Sequence, residues 1–204
     1  YNVFMRGVTE ITLLNAGNST ALLLSRNGYT GVVMLGDKTA VYSSVFELER
    51  RNVRTVDFLM IPDLNDSSAF SSIEFTKNIY VNCLITGPAG EYSDTVNALN
   101  TVSQLSLEDG IINFWNDCYA EIKNGWLILK IGQTRILICP YKANAAELSS
   151  DNRLTNLLVI TGKPPEHIAS ITAQAGVLNC LPERFSREIK AIPRISYPLY
   201  NTTQ

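Results

Sequence analysis

One histidine, His167, and four cysteines, Cys83, Cys118, Cys139 and Cys180, bound the chemistry open to this chain. Structural and catalytic zinc sites draw on thiolate, imidazole and carboxylate ligands at short loop spacings, and no Cys-x-x-Cys pair is present. A histidine-rich centre is impossible. Each cysteine lies inside or beside an apolar, strand-like run, which reads as a buried thiol, with a disulfide as the alternative. A serine or cysteine nucleophile needs a base within hydrogen-bond reach, and nothing around Ser67, Ser68 or Cys139 suggests a pairing with His167. His167 itself falls in the first turn of an expected helix and reads as a surface or boundary residue. Asp63 and Asp66, with help from Asn65, could hold a hard cation through oxygen ligands. The better reading is that Asn65, Asp66, Ser67 and Ser68 supply the N-cap of the helix that follows. The glycine-containing loops Asn15-Ala16-Gly17-Asn18 and Gly87-Pro88-Ala89-Gly90 lack the lysine, length and strand-to-helix setting of a phosphate-binding loop, so turn chemistry explains both.

The chain that must position these residues has 204 of them, 46% hydrophobic and 18% charged. That composition excludes disordered, collagenous and mucin-like classes and fits one domain with a sizeable core. Seventeen Lys and Arg against 19 Asp and Glu give a net charge of −2, whereas a duplex-binding domain shows a basic surplus. The longest apolar runs, such as Ala21 to Leu24 and Trp126 to Leu129, fall far below the roughly 20 residues that cross a bilayer. A start at Tyr1 with no Met or signal-like segment suggests an excised domain or a processed product of a longer protein.

Residues Thr9 to Leu14, Thr20 to Ser25 and Gly31 to Leu35 read as a β-meander. Ser44-Val45-Phe46-Glu47 has the form of a capping box opening a short helix to about Asn52. A buried strand at Val56 to Ile61, helical spacing at Ala69, Phe70 and Ile73, and a strand at Ile79 to Thr86 follow. Four strands then come in succession: Ile111 to Trp115, Cys118 to Lys123, Trp126 to Ile131 and Thr134 to Cys139. Asn124-Gly125 and Gly132-Gln133 supply hairpin turns between them. The chain returns to strand Leu157 to Thr161, a helix opened by Pro164-Pro165-Glu166 and closed by Gly176, and strand Val177 to Leu181. The two halves share one plan.

This order, a meander and β-loop-α-β repeated, is that of an α/β, four-layer αββα sandwich of the metallo-β-lactamase kind, here a single domain over 1–204 with its core at about 8–181 and a C-terminal strand or tail at 182–204. A doubly wound sheet would not explain four strands in succession. Asn15-Ala16-Gly17-Asn18-Ser19-Thr20-Ala21 resembles the D-V-G-Q-G-D-A motif that opens the metallo-β-lactamase-like domain of ComEC/Rec2 competence proteins, with Gly17 and Ala21 matching. Val33-Met34-Leu35-Gly36-Asp37 resembles that family's L-I-D-G-G, and Val53 to Leu59 its run into the metal loop. A T-H-x-H-x-D-H motif laid onto Ile61 to Ser67 puts Pro62, Leu64 and Ser67 at the histidine positions and keeps only Asp66. Asn15 stands for the family's first aspartate, Pro140 for its bridging aspartate, and Gly162 and Lys163 where the last histidines belong.

The resemblance therefore implies a degenerate site with no catalytic residue, no metal and no cofactor, and no small-molecule ligand. It further implies an extracytoplasmic module of a DNA-uptake membrane protein, in contact with the parent's other domains. The alternative is a free-standing hydrolase-like enzyme with a relocated active site. Arg184, Arg187, Lys190 and Arg194, interleaved with Phe185, Tyr197 and Tyr200, have the composition of a weak single-stranded DNA contact, cations tracking phosphate and rings stacking on bases. The competing reading is a solvated C-terminal edge whose Pro193 and Pro198 block strand pairing.

Overall fold

A computed structural model describes residues 7–16, 19–87, 92–99, 101–107, 110–123, 126–139, 144–161, 164–179 and 199–201, the side chains of 15, 16, 93 and 199–201 apart. The chain forms two compact units, residues 1–107 and 108–204.

The first unit is built on a six-stranded sheet in chain order, β1 (Glu10–Ala16), β2 (Ser19–Arg26), β3 (Tyr29–Leu35), β4 (Thr55–Ile61), β5 (Tyr80–Thr86) and β6 (Thr101–Ser106). Strands β1 to β3 are an antiparallel meander, and β3 to β6 run parallel. Parallel strands need crossovers, which here are helix α1 (Lys38–Arg50), helix α2 (Asp66–Asn78) and the five-residue α3 (Ser93–Asn97). The inner strands read as continuous apolar runs because both of their faces are buried. On one face Leu23, Met34, Leu59 and Leu84 pack with Val41, Leu48 and Phe75 of the helices. Residues Leu22, Leu24, Val33 and Met60, of opposite parity in their strands, are buried as well. Each such Leu or Val withdrawn from water contributes about 1.5–3 kcal/mol.

Asn27 and Gly28, at φ 51 and 87, form the two-residue turn between β2 and β3. Such turns need positive φ at both positions, which Asn and Gly adopt more readily than other residues. The helix after β3 departs from the sequence expectation. It starts at Lys38, capped by Asp37, and Ser44 lies in its interior with its hydroxyl donating to the Ala40 carbonyl at 2.7 Å. Ser44 is fully buried, so the Ser-x-x-Glu pattern reflects a packed face with Ala40, Val41 and Leu48 at helical spacing. At the other end of α1, Arg51 pairs with Glu47 at 2.6 Å and with Glu10 at 2.9 Å and donates to Thr12 Oγ1 at 2.8 Å, tying the helix to β1.

Hydrogen bonds from Arg50 and Arg51 hold the Glu47 carboxyl at about 2, below its ordinary 4.5. A folded-state value below the unfolded one stabilises above the unfolded value and is lost as pH falls through the folded one. Glu47→Gln should therefore cost about 1 kcal/mol at neutral pH, the upper end for solvent-screened pairs. Denaturant titrations should show its difference from the unmodified chain closing between about pH 4.5 and 2.

The second unit carries a seven-stranded sheet in the order β13-β12-β11-β10-β9-β8-β7. Its strands are β7 (Gly110–Trp115), β8 (Cys118–Lys123), β9 (Trp126–Ile131), β10 (Thr134–Cys139), β11 (Leu154–Thr161), β12 (Thr172–Asn179) and β13 (Leu199–Asn201). Strands β7 to β10 are antiparallel and β10 to β13 parallel, so the meander-then-parallel plan of the first unit recurs. Thr30 N–H donates to Asp57 Oδ2 and Arg135 N–H to Asn156 Oδ1, both at 2.7 Å. Each bond sits one residue before the paired positions Gly31 and Phe58, or Ile136 and Leu157, so one side-chain device opens both parallel ladders. The turn at Gly132-Gln133 is present, with Gly132 at φ 56, while Asn124-Gly125 lies outside the described residues.

The helix expected between Pro164 and Gly176 does not form. After Pro164-Pro165, Glu166 makes an isolated bridge with Asn144, a single 3₁₀ turn spans Ile168–Ser170, and the chain enters β12 at Thr172. Gly176 is an interior strand position opposite Leu158. Pairing along β11 on one side and β13 on the other overrides the local helix pattern. His167 consequently sits at φ 57 before the 3₁₀ turn, exposed, and opens no α-helix. Short turns, Ala145–Glu147 and Ile168–Ser170, place Ala145, Leu148 and Ile168 over Trp126, Leu137 and Leu158 in that unit's core.

Candidate functional site

In open sheets with parallel strands, ligands bind at the carboxyl ends of the strands. In the first unit β3, β4 and β5 end at Leu35, Ile61 and Thr86, and the positions singled out in the first half of the sequence gather there. Asn15 lies in β1 opposite Thr20, where β2 begins, and Gly17 and Asn18 lie outside the described residues.

Gly36 and Asp37 follow β3. Ser19 Oγ donates to Asp37 Oδ1 at 2.7 Å and accepts the Asp37 N–H at 3.0 Å. Asp37 Oδ1 also takes the Thr39 N–H at 2.9 Å and the Thr39 hydroxyl at 2.5 Å. Burial works to raise the Asp37 carboxyl, but the hydrogen bonds from Thr39 and Ser19 outweigh it and leave the group below its ordinary value. The carboxylate is thereby committed to starting α1. The sequence signal for this cap was an aspartate just before the periodic Ala40, Val41, Ser44 and Leu48.

The loop after β4 begins with Pro62, whose carbonyl oxygen would lie 2.3 Å from a Cβ at Gly87, and Gly87 N–H donates to the Ile61 carbonyl at 3.0 Å. Leu64 packs against the core formed by the sheet and helices. Asn65 is the N-cap of α2, as the sequence implied, and Asp66 and Ser67 are exposed in the first turn. Ser68 is 2% exposed and closes a capping box with Asn65. Thr86, also 2% exposed, has a hydroxyl oxygen with no hydrogen-bond partner among the described residues.

In the second unit Cys139 ends β10, buried, and burial pushes its thiol up to about 12, which removes it as a nucleophile at neutral pH. Cys118 is buried and Cys83 half-buried, both as thiols, and Cys180 lies outside the described residues. So do Pro140, Gly162, Lys163, Arg184, Arg187, Lys190 and Arg194. Among the described residues, no group of three or more His, Cys, Asp or Glu side chains is placed to hold a metal ion, and no helix is long and apolar enough to cross a membrane.

Two sheets of this topology, with helices between the parallel strands of the first, define a class, and the chain has the metallo-β-lactamase fold. It aligns with the crystal structure of the metallo-β-lactamase fold protein YhfI from Bacillus subtilis at a TM-score of 0.70 and 9% identity, over 95% of this chain and 97% of that one. It aligns with Zn²⁺-bound PqqB from Methylobacterium extorquens at a TM-score of 0.62 and 9% identity, over 91% of this chain and 84% of that one. No protein-family model and no curated protein matches the sequence.

The residues at the β4–α2 turn do not fit the zinc that such a fold can hold. Proline and leucine offer no side-chain donor, serine and asparagine are poor ligands for this ion, and Asp66 stands exposed with no imidazole near it in the loop.

Proposed function

We propose that this chain is a non-catalytic metallo-β-lactamase-fold module, one unit of function over 1–204, serving outside the membrane as part of a ComEC/Rec2-like DNA-uptake protein. The observation that carries the non-catalytic reading is the β4–α2 loop. The histidine positions of the motif hold Pro62, Leu64 and Ser67; Leu64 packs against the core, and Ser67 and the retained Asp66 face solvent. Metal-assisted hydrolysis needs a fixed ion that acidifies its bound water, and this loop supplies no such ligand set. A relocated hydrolase site would need a nucleophile beside a base. Ser68 is bound into the helix cap, Cys139 is buried with its thiol raised, and His167 belongs to a turn of the second unit.

The competence assignment rests on the resemblance of Asn15 to Ala21, Val33 to Asp37 and Val53 to Leu59 to that family's motifs. Within it, Arg184, Arg187, Lys190 and Arg194 would touch a single DNA strand. An anisotropy titration of labelled oligonucleotide at low salt tests this. The expected dissociation constant is ~10⁻⁴ to 10⁻⁶ M, with log affinity falling about 3 per decade of salt for four phosphate contacts. No binding, or binding unchanged when all four residues become Ala, removes the DNA contact.

A further inference from the structure

The loop between β4 and α2 is chemically closed on itself. Asn65 Oδ1 accepts the N–H groups of Ser67 and Ser68, both at 3.1 Å, and the Asn65 carbonyl accepts Ala69 N–H at 2.8 Å. Ser68 Oγ in turn accepts the Asn65 N–H at 2.8 Å and donates to the Asp63 carbonyl at 2.8 Å. Asn65 Nδ2 reaches Asp63 Oδ2 at 3.4 Å. On its other side the loop is pressed against β5, the Pro62 carbonyl lying where a side chain at Gly87 would have to be. A loop that serves as a metal scaffold keeps lone pairs available for the ion, and part of its folding free energy arrives only with the metal. Here the side chains of Asn65 and Ser68 are spent on the helix start, where Asn65 satisfies N–H groups that a helix cannot satisfy internally.

We infer that this loop has become a metal-independent structural cap, which fixes the start of α2 at the ends of β4 and β5 without an ion. The inference rests on the non-catalytic reading above and states what the loop does in place of holding metal. Its sequence form is the run Asp63-Leu64-Asn65-Asp66-Ser67-Ser68, in which the residues at the cap and three positions later bond each other reciprocally.

Thermal melts of the whole chain test it. The melting temperature should be the same with excess EDTA and with excess zinc chloride. Asn65→Ala should lower it by about 2–4 °C, the effect of a lost N-cap in a chain of this size. Ser68→Ala, which leaves the Asn65 cap acceptor in place, should lower it by less, and Asn65→Ser, which restores a capping oxygen without adding charge beside Asp63 and Asp66, should recover most of the loss. A melting temperature raised by zinc and lowered by EDTA overturns both this inference and the non-catalytic reading. Metal-independent melts with Asn65→Ala unchanged overturn the cap alone, and neither result depends on the DNA titration.

Discussion

Gly36→Ala should lower the melting temperature by roughly 10 °C. Two effects combine there. Gly36 has φ 138, a conformation that side-chain-bearing residues rarely adopt, and such strain costs about 1–3 kcal/mol. A Cβ would also lie 2.5 Å from Ser19 Oγ and 2.6 Å from Ser19 Cβ. Ser19 cannot give way without losing its bonds to Asp37, the N-cap of α1. Overpacking of this kind adds about 1–3 kcal/mol. Gly28→Ala separates the two effects, because Gly28 has φ 87 but nothing within 4 Å of its would-be Cβ. It should cost only about 1–2 kcal/mol. Equal losses for Gly28→Ala and Gly36→Ala, measured by denaturant titration, would show that the contact with Ser19 is unimportant.

Gly87→Ala should cost about 3 kcal/mol, at the upper end for overpacking, because the atom in the way belongs to the backbone. The Pro62 carbonyl oxygen would sit 2.3 Å from the new methyl. The glycine itself is pinned, its N–H donating to the Ile61 carbonyl at 3.0 Å and its carbonyl accepting from Ser106 Oγ at 3.1 Å. Relief would have to come from moving the β4–α2 loop, so amide exchange in the first turn of α2 should quicken together with the loss of stability. A variant that keeps its stability would mean that the loop is not held where the account places it.

The strands of the meanders were legible because burial wrote itself into the sequence as runs of Val, Ile and Leu between turn formers. Cys118 to Lys123, Trp126 to Ile131 and Thr134 to Cys139 are observed at the bounds their patterns imply. Strand β6 left no such trace. Thr101 to Ser106 lies at a sheet edge with five of its six side chains exposed, so no apolar face distinguishes it from a loop. The helix expected before Gly176 failed for the opposite reason. Its residues make a strand only because neighbours in the sheet are there to pair with, and pairing partners more than ten residues away are invisible to a local pattern.

At the site, the absence of imidazoles at Pro62, Leu64 and Ser67 was readable from residue types. Their arrangement was not, since the packing of Leu64 into the core and the fit of Pro62 against Gly87 depend on tertiary contacts. Ser19 illustrates the same limit, because its partner Asp37 is brought to it only when β2 and β3 pair.

The account turns on a metallo-β-lactamase fold whose strand-end loop no longer holds a metal. Elemental analysis of the pure chain, after equilibration with zinc and removal of unbound ion, tests that most directly. The account predicts zinc, manganese and iron well below one ion per chain. Zinc, manganese or iron at close to one ion per chain would contradict it.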